Sequence, residues 1–316
     1  MSMNLELAVA NVQTALAEDG SLIGCDMGKR PRYVLFHAAG SICSHKVRAV
    51  LAHHGLGYRG HAINLFSGQT YLPAYVRLRM AGCDRLGPRL AAHHDGSTSA
   101  SRGGCDGAVV PTLVDWEADA VLVDSKLICL HLDNEVEAAR RLRPAALVGQ
   151  IDEELEIVDN LPNYQMLMAR PGGPGGSGFA KGSFSERKVA WCDTYLRDHA
   201  DEEALVRAYT AKRAKEASAA ASLFSDSALN AARANVETAL QGLEHRLARS
   251  GGPWLHGDTF TMADLFWGIE LIRMKGVGAG GSWSGGRLPR VEGLLAAAEL
   301  APGIRTAVID WPGAIL

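Results

Sequence analysis

Ser41 and Cys43 lie two residues apart in the segment FHAAGSICSHKVRAVLAHHG (36–55), where an apolar run stops and a helical pattern begins. Free backbone N–H groups and the positive end of the helix macrodipole favour an anion at a helix start, so a Cys43 thiolate is stabilised there and can act as a nucleophile. The alternative is structural: Cys43 is a small buried residue and Ser41 is an N-cap or turn residue. Position alone leaves both interpretations open.

Asp124 and Ser125 occupy a second junction between a predicted strand and a predicted helix, in LVDSKLICL. The Ser125 hydroxyl and the backbone N–H groups of the helix start can bind a carboxylate, with Asp124 near a cationic group of the same ligand. A plain N-cap is the alternative, and both interpretations can hold together. Val110–Pro111 precedes another predicted strand, where a trans bond is the default because cis is found in only about 5–6% of X–Pro bonds.

The elements that carry these residues follow one another in a recognisable order. RYVLFH and YRGHAINL are β-rich, and between them Val47, Val50, Leu51 and His54 share one helical face that Gly55 closes. VVPTLVDWEADAVLVDS predicts a hairpin, followed by a helix from Ser125 to about Leu132. A β-α-β unit, a hairpin and a helix in this order are typical of a thioredoxin-like domain.

The rest of the chain divides around that unit. The first 32 residues predict an extension outside the domain, and a polar segment with several glycines at about 80–107 predicts an insertion within it. Beyond Arg140 the pattern is helical, broken by RPGGPGGSG (170–178) and GVGAGGSWSGG (276–286). The predicted fold class is α/β plus all-α, with an extension (1–32), a thioredoxin-like domain (33–135) and a helical bundle (136–316).

Composition excludes several classes of function. A chain of 316 residues, 47% hydrophobic and 21% charged, can bury the cores of two domains. The net charge of −3 and the pI near 6.4 provide no basic face, so we expect no nucleic-acid partner. No run approaches 18 uncharged apolar residues and the N-terminus lacks a basic signal-like segment, so we expect no membrane segment and a cytoplasmic protein.

Cysteine spacing gives no sign of a disulfide framework or of a metal site. The six cysteines are widely and irregularly spaced, without a CxxC pair, so reduced thiols are expected. A zinc site would have to combine residues of the insertion, namely Cys83, His93, His94, Asp95 and Cys105. Structural zinc usually shows a close C-x₂₋₄-C or H-x₃₋₅-H pair, which this segment lacks, so no metal is predicted.

Five segments resemble one known family. They are SICSHKVR (41–48), VVPTLVD (109–115), DSKLICLHL (124–132), PWLHGDTFTMADLFW (253–267) and IDWPG (309–313). Together they resemble the cytosolic glutathione transferase superfamily, and within it most of all the 2,5-dichlorohydroquinone reductive dechlorinases. The resemblance implies the glutathione transferase fold, glutathione as cosubstrate, a small aromatic second substrate and a homodimer.

The resemblance also implies a role for each candidate residue. Ser41 resembles the serine that hydrogen-bonds the glutathione thiolate, and a cis Val110–Pro111 bond would expose backbone groups that pair with the cysteinyl residue of glutathione. Ser125 and Asp124 would hold the γ-glutamyl carboxylate and amine. Cys43 would attack the sulfur of an aryl–glutathione conjugate, which gives reductive dehalogenation of a halohydroquinone through a Cys43–glutathione mixed disulfide.

Three alternatives remain. A conjugating transferase or etherase of the same fold needs Ser41 but not Cys43. A zeta-type isomerase returns glutathione unchanged. A non-catalytic glutathione-binding module uses the same binding residues without turnover.

Overall fold

The structure of the chain is a computed structural model. It describes residues 4–25, 30–87, 89–97, 99–168, 170 and 183–314.

A five-stranded mixed sheet lies at the centre of the N-terminal half. Its strands are β1 (Ser21–Ile23), β2 (Tyr33–His37), β3 (Tyr58–Ala62), β4 (Thr112–Asp115) and β5 (Ala120–Val123). They lie in the order β1-β3-β2-β4-β5; β2 and β3 are parallel, and every other neighbouring pair is antiparallel. The predicted β-α-β unit and hairpin are therefore confirmed.

Helix α2 (Ile42–His54) connects the two parallel strands, as the sequence predicted. Val47, Val50, Leu51 and His54 are all buried, and Gly55 ends the helix with φ 66°. Only glycine adopts that left-handed conformation without a steric cost, which explains the sharp stop.

Helices of the N-terminal half pack against the sheet and against one another. The remaining helices of the N-terminal half are α1 (Leu5–Leu16), α3 (Pro73–Leu86), α4 (Ala100–Gly103) and α5 (Ser125–Asn134). Helix α5 packs on α2, while α3 packs on α1 and β5. The predicted extension is thus part of this packing: β1 pairs with β3, with Leu22 opposite Arg59, and covers what would otherwise be an open sheet edge.

The insertion contains a disulfide, which contradicts the expectation that every cysteine is a thiol. Cys83 at the end of α3 is bonded to Cys105, and their Cα atoms are 5.5 Å apart. A β-bridge between Leu90 and Cys105 returns the segment to α3, so residues distant in sequence become neighbours. The bond also occupies both sulfurs that the alternative zinc site would have needed.

The C-terminal half is helical, as predicted. Its helices are α6 (Val148–Asp159), α7 (Asn163–Met168), α8 (Ser183–Asp198), α9 (Glu203–Ser218), α10 (Asp226–Ser250), α11 (Met262–Gly276), α12 (Pro289–Leu300) and α13 (Pro302–Ile304). The predicted loop at 276–286 contains a 3₁₀ turn (Ala279–Ser282), whereas the predicted loop at 170–178 lies outside the described residues except for Arg170. Within the described ranges, no helix is both long and apolar enough to cross a bilayer.

Helix α11 is the central helix of this half and also touches the other. It packs on α6, α12 and α2, and it is buried around almost its whole circumference. Trp267, fully buried in α11, donates its indole N–H to Glu154 at 2.9 Å. Because α11 contacts α2, its side chains can reach the start of α2, where Ser41 and Cys43 lie.

Candidate active site

Three loops that carry the predicted site residues meet at one end of the sheet. Phe36 near the end of β2 lies opposite Thr112 at the start of β4, and Thr112 lies opposite Val123 at the end of β5. The segments that follow β2, precede β4 and follow β5 therefore lie at the same end of the sheet. The structure brings the α2 start, the Val110–Pro111 bond and the Asp124–Ser125 junction to the same end of the molecule.

The loop between β2 and α2 is fixed by its carbonyl groups. Arg48 donates to the carbonyl oxygens of Ala38 and Ala39, each at 3.2 Å. Arg273 from α11 donates to the carbonyl oxygen of Gly40. Because three consecutive carbonyls accept from buried guanidinium groups, the backbone that leads into Ser41 has little freedom.

Arg48 is held in turn by the C-terminal segment. Its guanidinium donates to the Ala307 carbonyl at 3.1 and 3.0 Å and lies 4.4 Å from the centre of the Trp311 ring. Trp311 also makes an edge contact with His37 at the end of β2. The segment IDWPG therefore supports the loop of the site.

Ser41 is the N-cap of α2, which confirms the structural interpretation of that residue. Its Oγ accepts from the Ser44 N–H at 3.3 Å, and the Ser44 Oγ accepts from the Ala38 N–H at 3.2 Å. A serine that accepts through its oxygen keeps its hydroxyl hydrogen for donation, so capping and ligand binding are compatible. Ser41 and Cys43 are each half-buried, and Cys43, the second residue of α2, carries a thiol.

Two buried cations act on Cys43. Lys46, one turn further along α2, bonds Asp159 at 2.8 Å; burial alone would lower its pKa, but Asp159 and then Cys43 raise it. Burial lowers the pKa of Arg273 to about 10, which still leaves it charged near neutral pH. Both cations therefore interact electrostatically with the Cys43 sulfur at the start of α2.

A buried carboxylic acid lies beside these cations. Glu270, one turn before Arg273 in α11, accepts from the Asn163 side chain at 2.8 Å. Burial raises the pKa of Glu270 to about 7, although Lys46 and Arg273 oppose the rise. Glu270 therefore changes its charge close to neutral pH.

The Val110–Pro111 bond is cis, which confirms the expectation drawn from the resemblance. Val110 is buried, and within the described ranges neither its N–H nor its C=O pairs with another backbone group. The flanking positions are fixed: the Tyr75 hydroxyl donates to the Val109 carbonyl at 2.6 Å, and Arg79 donates to the Thr112 hydroxyl at 2.9 Å. A rigid backbone with an available donor and acceptor suits the backbone of a peptide ligand.

Asp124 and Ser125 form the start of α5. Asp124 has φ 71°, a conformation that costs a non-glycine residue about 1–3 kcal/mol and is concentrated at functional sites. Its carboxylate accepts from the Leu127 N–H at 3.1 Å and the Ala100 N–H at 2.8 Å, and burial raises its pKa. The N-cap interpretation is confirmed, whereas contact between Asp124 and a ligand amine stays a prediction. Ser125 is buried at the first position of the helix.

Sequence reasoning missed four residues whose side chains lie close to the start of α2, namely Lys46, Asn163, Glu270 and Arg273. Lys46 could have been found, because it lies one turn after Cys43 on a predicted helix. Arg273, Glu270 and Asn163 gave no signal, since their approach to α2 depends on how α7 and α11 pack.

Two family models match the chain. The N-terminal domain model of the glutathione S-transferases matches residues 40–135, and their C-terminal domain model matches residues 226–297. The 2,5-dichlorohydroquinone reductive dechlorinases of two Sphingobium indicum strains are each 32% identical over 300 residues, covering 93% of this chain and 87% of the relative.

Solved structures share the fold at low sequence identity. A β-etherase from Sphingobium sp. strain SYK-6 superposes with a TM-score of 0.57 at 15% identity, covering 87% of this chain and 98% of that one. A glutathione S-transferase from Methylobacillus flagellatus KT, solved with glutathione bound, gives 0.51 at 13% identity, with coverages of 87% and 98%. The two matched domains and the similarity over nearly the whole chain show that this protein belongs to the glutathione S-transferase family.

Proposed function

We propose that the protein is a glutathione-dependent reductive dehalogenase that acts on halogenated hydroquinones. The observation that carries the proposal is the Cys43 thiol, half-buried at the start of α2, two residues after Ser41 and beside Lys46 and Arg273. The 32% identity to reductive dechlorinases supports the same chemistry.

The residues at this edge of the sheet fit glutathione. The Val110 backbone offers a donor and an acceptor to the cysteinyl residue, and the α5 start with Ser125 offers N–H and hydroxyl groups to the γ-glutamyl carboxylate. The Ser41 hydroxyl can donate to the glutathione thiolate. These three contacts would place the glutathione sulfur near the start of α2, close enough to the Cys43 sulfur for the two to react.

The first half of the proposed reaction forms a carbon–sulfur bond. Glutathione thiolate, held by Ser41, adds to the halogen-bearing carbon of the hydroquinone in its keto form, and halide leaves with its bonding electrons. The product at this stage is an aryl–glutathione conjugate. Cys43 takes no covalent part in this half.

The second half reduces the carbon. Cys43 thiolate attacks the sulfur of the conjugate, a disulfide forms, and the electrons of the broken carbon–sulfur bond pass to the ring, which takes up a proton. A second glutathione then resolves the Cys43–glutathione mixed disulfide. The balance is one carbon–halogen bond replaced by carbon–hydrogen, one halide released and two glutathiones oxidised to one disulfide.

The alternatives use only part of this site. A conjugating transferase or etherase needs Ser41 without Cys43, an isomerase returns glutathione unchanged, and a binding module needs no nucleophile. Of these reactions, only reduction needs a second thiol that attacks the sulfur of the conjugate, which is why the position of Cys43 favours it.

Product analysis tests the proposal. Purified protein is incubated with glutathione and a panel of chlorinated and brominated hydroquinones, and halide, oxidised glutathione and organic products are quantified. We expect halide and oxidised glutathione in equal amounts, with the dehalogenated hydroquinone. Halide with an accumulating conjugate would indicate a transferase, and no turnover despite retention on immobilised glutathione would indicate a binding module.

We further propose a cytoplasmic homodimer that takes part in the breakdown of aromatic compounds. Family membership supports dimerisation, and dependence on reduced glutathione supports a compartment rich in it. Sedimentation at micromolar concentration tests the oligomeric state, and a species of 33.7 kDa would contradict the dimer.

A further inference from the structure

Arg273 is a buried cation, and one of its hydrogen-bond donors has no partner among the described residues. Only 7% of the residue is exposed, and its Nη2 donates to the Gly40 carbonyl. Its Nη1 is also buried, yet it has no hydrogen-bond partner in the part of the chain that the structure describes. An unpaired donor on a buried charged group is costly, so its retention points to a partner that arrives with a ligand.

Arg170 adds a second positive charge to the same region. Its Nη1 is likewise buried without a hydrogen-bond partner among the described residues. Burial and the charge of Arg170 both lower the pKa of Arg273, whereas Glu270 and Cys43 oppose that change. Two guanidinium groups that repel each other in a desolvated region are stabilised when an anion binds between or beside them.

The nearby carboxyl groups do not fully neutralise this charge. Asp159 is already paired with Lys46. Glu270 accepts a hydrogen bond from Asn163, and burial raises its pKa to about 7, so it is only partly ionised near neutral pH. An excess of positive charge therefore remains around Arg273.

This positive charge lies close to Ser41 and Cys43, where the sulfur atoms are proposed to react. Gly40, whose carbonyl Arg273 holds, directly precedes Ser41, and the Cys43 sulfur acts electrostatically on the same guanidinium. We propose that Arg273, with Arg170 beside it, binds the ring oxygen of the aromatic substrate in its anionic form. This assignment rests on the proposed function and names the group that the second substrate presents.

The chemistry explains why a cation belongs there. When the Cys43 thiolate attacks the sulfur of the conjugate, the carbon–sulfur bond breaks and its electron pair enters the ring. In the keto form of the conjugate the carbon that bears sulfur is tetrahedral, so the pair is delocalised onto the ring oxygen, which becomes an enolate or dienolate before the carbon takes a proton. A guanidinium already placed at that oxygen stabilises the charge as it develops, without reorganisation of solvent.

A binding experiment separates this role from turnover. We would titrate 4-nitrophenolate into the wild type and the variants Arg273→Gln and Arg170→Gln, following the phenolate absorbance, and measure glutathione affinity by calorimetry. Arg273→Gln should weaken nitrophenolate binding about tenfold or more, as expected for loss of a charge-assisted hydrogen bond, and leave glutathione affinity within about twofold. Binding of the uncharged 4-nitroanisole should not change.

Lys275→Gln is the matched control, because Lys275 lies on the same helix, is exposed and pairs with Glu299 at 2.6 Å. It should behave as the wild type with both probes. In turnover, Arg273→Gln should lower kcat/KM for the halohydroquinone about tenfold or more, with the KM for glutathione unchanged.

Several results would overturn the proposal. One is an unchanged nitrophenolate affinity in Arg273→Gln. Another is an equal loss of nitrophenolate and glutathione binding in this variant, which would show that Arg273 only supports the loop that contains Gly40. If Arg273→Gln does not fold, Arg170→Gln must weaken nitrophenolate binding by about threefold or more. Arg273-dependent nitrophenolate binding without dehalogenation of any hydroquinone would instead remove the proposed reaction and leave the anion site.

Discussion

At the scale of single residues, Ser41 and Cys43 have different roles although they lie within one turn of backbone. Ser41 caps α2 and keeps a hydroxyl hydrogen, while Cys43 is influenced by Lys46 from its own helix and Arg273 from the helical half. The sequence was sufficient to select Ser41 and Cys43, because helix starts are local features. Arg273 is 230 positions further along, and no local pattern connects it to them.

Cys43→Ser should separate the two halves of the reaction. The variant should still bind glutathione and displace halide, but formation of dehalogenated hydroquinone should fall by about a hundredfold or more, because a hydroxyl is a far poorer nucleophile toward sulfur. Mass spectrometry should find the aryl–glutathione conjugate as the released product. Cys192→Ser, at a buried cysteine whose pKa burial raises, is the control and should retain activity.

Quenched wild-type enzyme should carry one glutathione at Cys43 and at no other cysteine. Dehalogenated product formed by Cys43→Ser at the wild-type rate would show that Cys43 is not the nucleophile.

Ser125→Ala should weaken glutathione binding more than it slows the chemistry. Its proposed contact to the γ-glutamyl carboxylate is remote from the sulfur and should be equal in the ground and transition states. We expect the KM for glutathione to rise about tenfold, with kcat within about twofold. Steady-state kinetics with varied glutathione measures this, and an unchanged KM counts against the assignment.

At the scale of elements, the insertion shows where sequence reasoning reaches its limit. The β-α-β unit, the hairpin and α5 were predictable because periodicity, glycine stops and turn residues act over a few positions. The Cys83–Cys105 disulfide was not, because a loop of 22 residues had to return to α3 before the sulfurs could meet. The cysteine spacing alone pointed to thiols.

Thiol counting tests this disulfide directly. Unreduced protein denatured in guanidinium should react with four equivalents of an alkylating agent, and reduced protein with six. Removing the bond with paired Cys83→Ser and Cys105→Ser changes should lower the free energy of unfolding by about 3 kcal/mol, the value expected for a loop of this length. Six reactive thiols before reduction would refute the bond.

Glu270 in α11 should make stability depend on pH. Its folded pKa, raised by burial to about 7, exceeds the ordinary 4.5, so the folded state binds the proton more tightly. The resulting stabilisation, about 3 kcal/mol in total, is fully present below the ordinary pKa of 4.5. It is lost as the pH rises through the folded pKa of about 7. Urea unfolding across this range should show the decline in the wild type.

Glu270→Gln should flatten that part of the profile, because its side chain stays neutral. Glu292→Gln, at an exposed position of α12, should leave the decline in place. A slope that persists unchanged in Glu270→Gln would assign the effect to another group.

At the scale of the whole molecule, charged side chains join the insertion to the helical half. Asp106 accepts from Lys212 at 2.8 Å and from Lys215 at 3.0 Å, and Lys212 also pairs with Glu216 at 2.9 Å. All four residues are buried. Composition predicted two domains, but it could not show that ion pairs of this kind connect them.

Asp106→Asn should therefore destabilise the whole chain. Two buried ammonium groups would lose a shared carboxylate, and removal of one partner from a buried pair typically costs about 3–5 kcal/mol. Urea unfolding measures the loss, with Asp95→Asn as control, because Asp95 pairs with Arg102 at the surface. Equal stability of Asp106→Asn and the wild type would show that the cluster contributes no net energy.

The support of Arg48 by Ala307 and Trp311 has a consequence for synthesis on the ribosome. The carbonyls of Ala38 and Ala39 receive their fixed guanidinium only after a segment about 270 residues later has emerged and folded back. Translation proceeds at roughly 5–20 residues per second, so the thioredoxin-like domain waits tens of seconds for this support. A nascent chain arrested before residue 305 should therefore bind immobilised glutathione less well than one released after residue 314.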